Sequence, residues 1–232
     1  MKDITRSALL FIIIALSSCR LEAQQETFEN ITGFNELQVS SGIDVYLSQG
    51  EESVRIEADD DMMDDIIVEK NNKTLIIRVD NKVMNWFISG GPIKAYVGFE
   101  ELKRIQISGG SDLEGDSALE FDKLDMSASG GSDIKLALKA NELKINCSGG
   151  SDVKLEGYAS YFEGTASGGS DIKAQDLESE VANVNSSGGS DVHISVSRKL
   201  VANSSGGSDV YYYGNPEDVD SNESGGSDIT KR

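Results

Sequence analysis

Seven aspartates recur at intervals of 18 to 21 residues through the second half of this 232-residue chain. Each one ends the pentapeptide Ser-Gly-Gly-Ser-Asp and is followed by Leu, Ile or Val. Carboxylates at so regular a spacing could hold cations, work as acid–base pairs, or hydrogen-bond the backbone of a repeated turn. The seven are Asp112, Asp133, Asp152, Asp171, Asp191, Asp209 and Asp228.

The stretches on either side of each pentapeptide show which elements position these carboxylates. Apolar residues alternate with polar ones before the turn, as at Leu124, Met126 and Ala128, and an apolar residue such as Ile134 follows it. This pattern predicts two short strands per repeat, each with one inward face. A repeat of about 19 residues with one invariant turn is typical of a solenoid. We therefore predict an all-β fold, a β-helix or β-solenoid.

The paired glycines of the pentapeptide have a structural explanation. A corner that recurs at the same height in stacked coils leaves no room for a Cβ atom and usually needs a positive φ. The flanking serines can hydrogen-bond the turn or form a ladder of hydroxyls. The predicted turn glycines are Gly109, Gly110, Gly130, Gly131, Gly149, Gly150, Gly168, Gly169, Gly188, Gly189, Gly206, Gly207, Gly225 and Gly226.

The aspartates of stacked turns would form a column of like charges, which is destabilising unless something offsets it. Carboxylate-to-turn hydrogen bonds, neighbouring lysines or bound cations could each do so. A calcium ladder is the metal-binding alternative, because the nine-residue calcium-binding β-roll motif also pairs Gly-Gly with Asp. The second Gly and Asp spacing of that motif is missing here, so we favour hydrogen-bonded turns and predict neither metal nor cofactor.

The first residues are typical of an export signal. Lys2 and Arg6 precede an apolar run over residues 8–16, which is too short to span a membrane as a stable helix. It ends in Leu-Ser-Ser-Cys, which resembles a bacterial lipobox and implies lipidation of Cys19. We predict a lipoprotein signal peptide over 1–18, a tether over 19–30 and a single β-solenoid domain over 31–232.

Within that domain, residues 31–107 predict irregular β-structure and residues 108–232 the regular repeats. The acidic run Asp59–Ile66 predicts one short helix, and Asn71-Asn72-Lys73 predicts a hairpin turn. Ser41-Gly42-Ile43-Asp44 resembles a diverged copy of the repeated turn. The Trp86-Phe87 segment is either a contact patch or a loop that covers the end of the solenoid, and we favour the loop.

Charge and cysteine content restrict the partners. The formal net charge is −19, which argues against nucleic acid and anionic lipid as ligands. The chain has two cysteines, so a lipidated Cys19 leaves Cys147 without an intramolecular partner. Cys147 stands where other repeats carry Ala128 and Ala166, and we interpret it as a small core residue.

The sequence offers little for catalysis. His193 is the only histidine and is predicted to face outward, and there is no Cys/His cluster, nucleophile elbow or phosphate loop. We predict no enzyme activity, although the many carboxylates leave a paired-acid glycosidase or lyase open. The last repeat loses apolar content, with Val219, Ser221 and Glu223 at the inward positions, and predicts a polar cap rather than a subunit interface.

Several stretches resemble a known family. Phe34–Gly50, Val54–Ala58, Leu75–Ile77 and the repeated turns are similar to the "putative auto-transporter adhesin, head GIN domain" family over about residues 34–230. The resemblance implies a right-handed β-helix-like fold. It also implies a protein from Bacteroidota that is exported and often lipid-anchored, with no catalytic residue to carry over.

These observations predict a lipid-anchored β-solenoid of the cell envelope that acts as a non-catalytic adhesion or interaction module. As an outer-membrane lipoprotein on the surface or periplasmic side, it would contact the membrane through its anchor and bind a protein or a glycan. A carbohydrate-active solenoid and a purely structural envelope domain are the alternatives. The oligomeric state is left open.

Overall fold

The computed structural model describes residues 24–28, 30–80 and 91–232, which form seventeen strands and one short helix. The signal peptide, Cys19 and the Trp86-Phe87 segment lie outside the described residues. The N-terminal elements are β1 (Gln24–Thr27), β2 (Glu36–Val39), β3 (Ile43–Gln49), β4 (Ser53–Ala58), α1 (Asp60–Met63), β5 (Ile66–Asn71), β6 (Thr74–Val79) and β7 (Ile93–Phe99).

The remaining strands belong to the repeats. They are β8 (Arg104–Ser108), β9 (Leu113–Gly115), β10 (Leu119–Ser129), β11 (Ile134–Ser148), β12 (Asp152–Ser167), β13 (Asp171–Ser187), β14 (Asp191–Ser205), β15 (Asp209–Tyr213), β16 (Asp218–Ser224) and β17 (Asp228–Lys231). Neighbouring coils pair in parallel, so that equivalent residues of successive repeats lie opposite one another. The predicted β-solenoid and its single short helix are confirmed.

Each full coil carries one long, bent strand where the sequence pattern predicted two short ones. The strands β11 to β14 run for 15 to 17 residues. Their inward–outward alternation breaks at pairs of consecutive residues that both point away from the core, such as Asn141-Glu142 and Ser160-Tyr161. Stacked coils bend at the same place, so the pairing between them resumes in the same register beyond the corner.

The N-terminal coils do not stack in sequence order. The β2–β3 coil pairs with β8–β9 on one side and with β6–β7 on the other. Its turn carries the variant Ser41-Gly42-Ile43-Asp44, and the Gly42 amide donates to the Gly109 carbonyl oxygen at 3.0 Å. The early coil is therefore a diverged member of the same stack, as the variant turn indicated.

Antiparallel strands cover the N-terminal end of the stack. Strand β5 pairs with β6, β4 pairs with β7, and β1 pairs with β4. Met62 and Met63 of α1 pack against this end and are buried. Residues 24–27 lie in the segment predicted to be a tether, yet their backbone pairs with β4 as β1. Ordered structure therefore begins before Ile31.

The C-terminal end is different, because its outer strand β16 is exposed along its whole length. Val219 is the one large hydrophobic residue exposed among the described residues, at 41%. Asp218, Asp220 and Glu223 make the strand acidic, and charges on an edge strand oppose pairing with another chain. This composition agrees with the expected polar cap.

Candidate functional site on the turn face

The repeated turns bring their glycines into two columns with different requirements. The first glycine of each pair has φ between 65° and 75°, and the second has φ between 73° and 81°. A Cβ atom on the first would lie 3.2 to 3.5 Å from a backbone nitrogen of the preceding coil, whereas a Cβ on the second would meet nothing within 4 Å. Close stacking thus requires the first glycine, and backbone conformation alone requires the second.

The second serine of each turn points into the stack and is almost completely buried. The Ser111 amide donates to the Ser132 hydroxyl at 3.2 Å, and the Ser132 amide donates to the Ser151 hydroxyl at 3.0 Å. Later in the array the Ser208 hydroxyl donates to the Ser205 carbonyl oxygen within its own turn, at 2.8 Å. These serines satisfy turn amides and carbonyls that water cannot reach.

The aspartates form an outward column beside the turns, which we call the Asp row. Asp44 of the early coil precedes Val45, which lies opposite Leu113, and so extends the row by one member. In five of the six steps between the seven repeats, an aspartate amide donates to the Oδ1 atom of the aspartate one coil earlier. The donors are Asp133 (3.0 Å), Asp152 (3.1 Å), Asp191 (3.3 Å), Asp209 (3.1 Å) and Asp228 (3.0 Å).

The remaining step departs from this pattern. The Asp171 amide donates to the Ser151 carbonyl oxygen at 3.2 Å, and Lys173 bridges the two carboxylates of this step. Its Nζ atom lies 2.7 Å from Asp152 Oδ2 and 3.4 Å from Asp171 Oδ2. Lys173 therefore offsets the repulsion between the two carboxylates at the step where the direct amide–carboxylate bond is absent.

These bonds explain how a column of like charges is tolerated. Two exposed charges one strand spacing apart repel by about 1 kcal/mol in water. A hydrogen bond to a charged group contributes about 1.5–3 kcal/mol, so each amide–carboxylate bond outweighs the repulsion it accompanies. No cation is needed to close this balance.

A second outward row lies two residues beyond the Asp row and changes character along the stack. In register order it contains Tyr46, Glu114, Lys135, Lys154, Lys173, His193, Tyr211 and Thr230. We call the surface made by both rows the turn face. Lys135 pairs with Glu114 at 2.7 Å, and this contact raises the pKa of the lysine. The middle of the turn face is thus a zone of solvated ion pairs.

Aromatic side chains stack at both ends of the turn face. At the N-terminal end, the Tyr46 and Tyr96 rings lie 5.2 Å apart, and the Arg55 guanidinium lies 3.8 Å over Tyr96. At the other end, the His193 ring lies 4.7 Å from Tyr211, and Arg232 covers the opposite side at 4.8 Å. The faces of Tyr96 and Tyr211 are therefore occupied by their neighbours in these stacks.

His193 lies outward on the turn face, as predicted. Burial in the aromatic stack lowers its pKa, an effect that the neighbouring Asp191 partly opposes. Its Nδ1 atom is 3.5 Å from the Tyr213 hydroxyl. These contacts hold the imidazole as part of a stacked surface and give it no nucleophile to activate.

Cys147 is buried in the column that contains Ala166, Ser186 and Ser204. Its thiol donates to the Ser151 carbonyl oxygen, and the Ser186 hydroxyl makes the equivalent bond to Ser190. Burial raises the pKa of the thiol to about 11. A protonated thiol in this position acts as a core residue, which agrees with the interpretation from sequence.

Two recesses open on other parts of the surface, and sequence reasoning identified neither. The first is a groove of about 470 Å³ beside Phe121, whose ring stacks on Phe99 at 5.8 Å. The Gln49 amide group bonds both backbone groups of Glu120, at 2.8 and 2.9 Å, on the edge of β10 that faces away from β11 and that β8 does not reach. The lysines that line this groove pair with carboxylates, as Lys123 does with Glu142 at 2.5 Å.

The second recess is a depression of about 390 Å³ between the β13 and β14 coils and the end of β15. The uneven repeat spacings, 20 residues from Ser167 to Ser187 and then 18 to Ser205, could have indicated it. Polar side chains dominate its lining. They are Gln175, Asp176, Glu178, Ser195, Ser197 and Asn215.

Two absences concern the residues that the structure describes, 24–28, 30–80 and 91–232. No helix within them is long and apolar enough to cross a membrane. No group of three or more histidines, cysteines, aspartates or glutamates among them is arranged to hold a metal ion.

Three solved structures with this fold come from species of Bacteroides and Parabacteroides. A "putative adhesin" from Bacteroides fragilis superposes with a TM-score of 0.84 at 21% identity, covering 91% of this chain and 97% of that one. A "putative adhesin" from Parabacteroides merdae gives 0.74 at 16%, covering 91% and 96%. A "putative lipid binding protein" from Parabacteroides distasonis gives 0.69 at 17%, covering 91% and 97%.

No curated protein matches the chain. The family model described as "Putative auto-transporter adhesin, head GIN domain" matches residues 33–216, which include the early coils and the repeats up to β15. The chain therefore belongs to the head GIN domain family of "putative auto-transporter adhesins".

Proposed function

We propose that this protein is a lipid-anchored adhesion module of the cell envelope, without catalytic activity. Its family supports an adhesion-type role and display outside the cytoplasm. The signal sequence and the lipobox-like Leu-Ser-Ser-Cys support acylation of Cys19. In this arrangement the acyl chains hold the protein on the membrane, while the solenoid presents its turn face to a partner.

The observation that carries the proposal is the register of the Asp row. Bonds between coils fix five of the seven repeat carboxylates through Oδ1, as in the Asp133–Asp152 step, so the row is ordered before a partner arrives. A surface that is already ordered loses little conformational entropy on binding. A rigid, repetitive, polar surface therefore suits adhesion better than catalysis, which needs a distinct group at one place.

The environment of His193 supports the non-catalytic part of the proposal. A general base must lie within hydrogen-bonding reach of the proton it takes. The imidazole Nδ1 atom lies 3.5 Å from the Tyr213 hydroxyl, and the ring is stacked on Tyr211. Purified protein incubated with envelope and host polysaccharides should release no sugar products.

Metabolic labelling with an alkyne-tagged fatty acid tests the anchor in the native host. We expect the wild-type protein to carry the label and Cys19→Ala to lose it. Cys147→Ala is the matched control, because it removes the other cysteine and should leave labelling unchanged. Equal labelling of wild type and Cys19→Ala would sink the lipid-anchor claim.

The same cells test adhesion. Intact cells treated with protease should lose the solenoid if it faces outward, and cells lacking the gene should attach less to immobilised host or bacterial surfaces. Plasmid-borne wild type should restore attachment, and Cys19→Ala should not. Full protection from protease together with unchanged attachment contradicts an adhesive role.

A further inference from the structure

The depression beside β13 and β14 arises from a mismatch in coil length. Ala174 of β13 lies opposite Ile194 of β14, but the next paired position is Glu178 opposite Ser195. Residues 175–177 therefore have no partner in the β14 coil, although Asp176 still pairs with Glu156 on the other side. The shorter coil leaves a step in the stack, and the recess forms over that step.

One wall of this depression contains an unsatisfied polar atom. The Gln175 side-chain nitrogen donates to Asp176 Oδ2 at 3.3 Å, whereas its Oε1 atom is buried and accepts no hydrogen bond from the chain. Such an acceptor destabilises the fold as long as it stays unpaired. Gln175 lines the recess, and its side chain as a whole is only half-buried. A donor from outside the chain would relieve this cost.

The rim supplies complementary groups. Asp176 and Glu178 offer carboxylate acceptors, and Asn215 offers an amide nitrogen that can donate, since its Oδ1 atom accepts from Lys231 Nζ at 2.7 Å. The Ser195 hydroxyl can donate or accept, whereas the Ser197 hydroxyl donates to the Ser179 carbonyl oxygen at 3.2 Å. Alternating donors and acceptors around a shallow recess match adjacent hydroxyls on a small ring. The two carboxylates disfavour phosphate and other anions.

The size of the recess suits a ligand of one sugar ring. Its volume of about 390 Å³ falls within the range of about 300–1,000 Å³ usual for ligand sites.

From this combination we propose that the recess lined by Gln175, Asp176 and Asn215 binds one neutral sugar residue of a glycan. The inference rests on the proposed adhesion role and names its ligand class. The contact of one recess is small, so tight attachment would come from many anchored copies on one cell.

The test uses the soluble chain from residue 20 onward, with its folding checked by circular dichroism. The probes are a printed oligosaccharide array and saturation-transfer NMR with glucose, galactose, mannose and N-acetylglucosamine. We expect binding of at least one neutral sugar, with affinity about tenfold lower in Gln175→Leu. Gln106→Leu is the matched control, because Gln106 is exposed on β8 and lies away from the recess. This variant should bind as wild type does.

The outcomes separate this inference from the adhesion proposal. If wild type binds no probe, or if Gln175→Leu binds as well as Gln106→Leu, the sugar site is wrong whatever the cell-attachment result. If sugar binding depends on Gln175 but cells without the gene attach normally, the site stands and the adhesion role fails.

Discussion

The two halves of this solenoid differ in the order in which their coils stack. From β8 onward, each coil packs on the one before it in the sequence, and the repeats share one turn. Before β8, the chain places β2–β3 between coils that come later in the sequence, and it covers the outer coil with antiparallel strands. The first half therefore depends on contacts between distant residues, and the second on contacts between neighbouring repeats.

This difference shows where the fold is modular. A coil in the array contacts only its neighbours, so its removal leaves two surfaces that still match. The β2–β3 coil instead supports both β6–β7 and β8–β9, and nothing else in the stack can fill its place. We infer that the N-terminal region acts as the template on which the array is built.

Removing one coil from each region should give the largest contrast. Deletion of residues 36–49 takes out β2 and β3 and should abolish cooperative folding, because β8–β9 and β6–β7 both lose their partner. Circular dichroism and thermal melting give the readout.

The matched deletion of residues 148–166 joins Cys147 to Ser167, which restores the register at the next turn. This variant should melt cooperatively, and small-angle scattering should show a particle shorter by about 4.8 Å. If both deletions melt alike, the two regions do not differ in modularity.

A smaller effect should separate the two glycines of one array turn. Gly149→Ala brings a Cβ atom to 3.2 Å from the Gly130 nitrogen at a φ of 69°, whereas Gly150→Ala has the strained φ without the close contact. The strained conformation costs about 1–2 kcal/mol in either variant. Gly149→Ala should therefore lose more free energy of unfolding in urea than Gly150→Ala, and equal losses would show that crowding between coils contributes nothing.

The smallest effect concerns Asp44, the member of the Asp row that belongs to the N-terminal region. Burial, and then the charge of Asp112, raise the pKa of Asp44 above its usual value of 3.8. The folded state then binds this proton more tightly than the unfolded state, so the ionised carboxylate costs stability above the raised pKa. The cost shrinks as the pH falls through that pKa and vanishes below 3.8.

Asp44→Asn should consequently be more stable than wild type at pH 7, by less than about 1 kcal/mol for so exposed a group. Asp133→Asn is the comparison, since it also removes one charge from the row and keeps an oxygen for the Asp152 amide. The advantage of Asp44→Asn should fade between pH 7 and pH 4 in urea titrations. An advantage independent of pH contradicts this assignment.

Most of the array could be predicted from the sequence because its information is local. Leu143, Ile145 and Cys147 repeat the spacing of Leu124, Met126 and Ala128, and that spacing fixes which residues face inward. The turn glycines and the outward aspartates follow from the same register. The hairpin at Asn72 and the short helix at Asp60–Met63 were likewise indicated by the residue types at those positions.

The rest could not be predicted because it depends on pairing between distant residues. Val45 lies opposite Leu113 across more than sixty residues of chain, and no local pattern specifies that choice over a neighbouring coil. The bond that Gln49 makes to the Glu120 backbone likewise exists only once the stack has formed. The recess beside β13 and β14 depends on a difference in length between these two coils. This difference produces a cavity only when the coils are stacked.

The direction of the Asp-row bonds has a consequence for evolution. Each amide donates toward the coil before it, so a new coil that follows an old one finds its acceptor already in place. An in-frame duplication of one coil would lengthen the solenoid by about 4.8 Å and leave the N-terminal cap untouched. The length of the solenoid is therefore a trait that can be inherited and selected one repeat at a time.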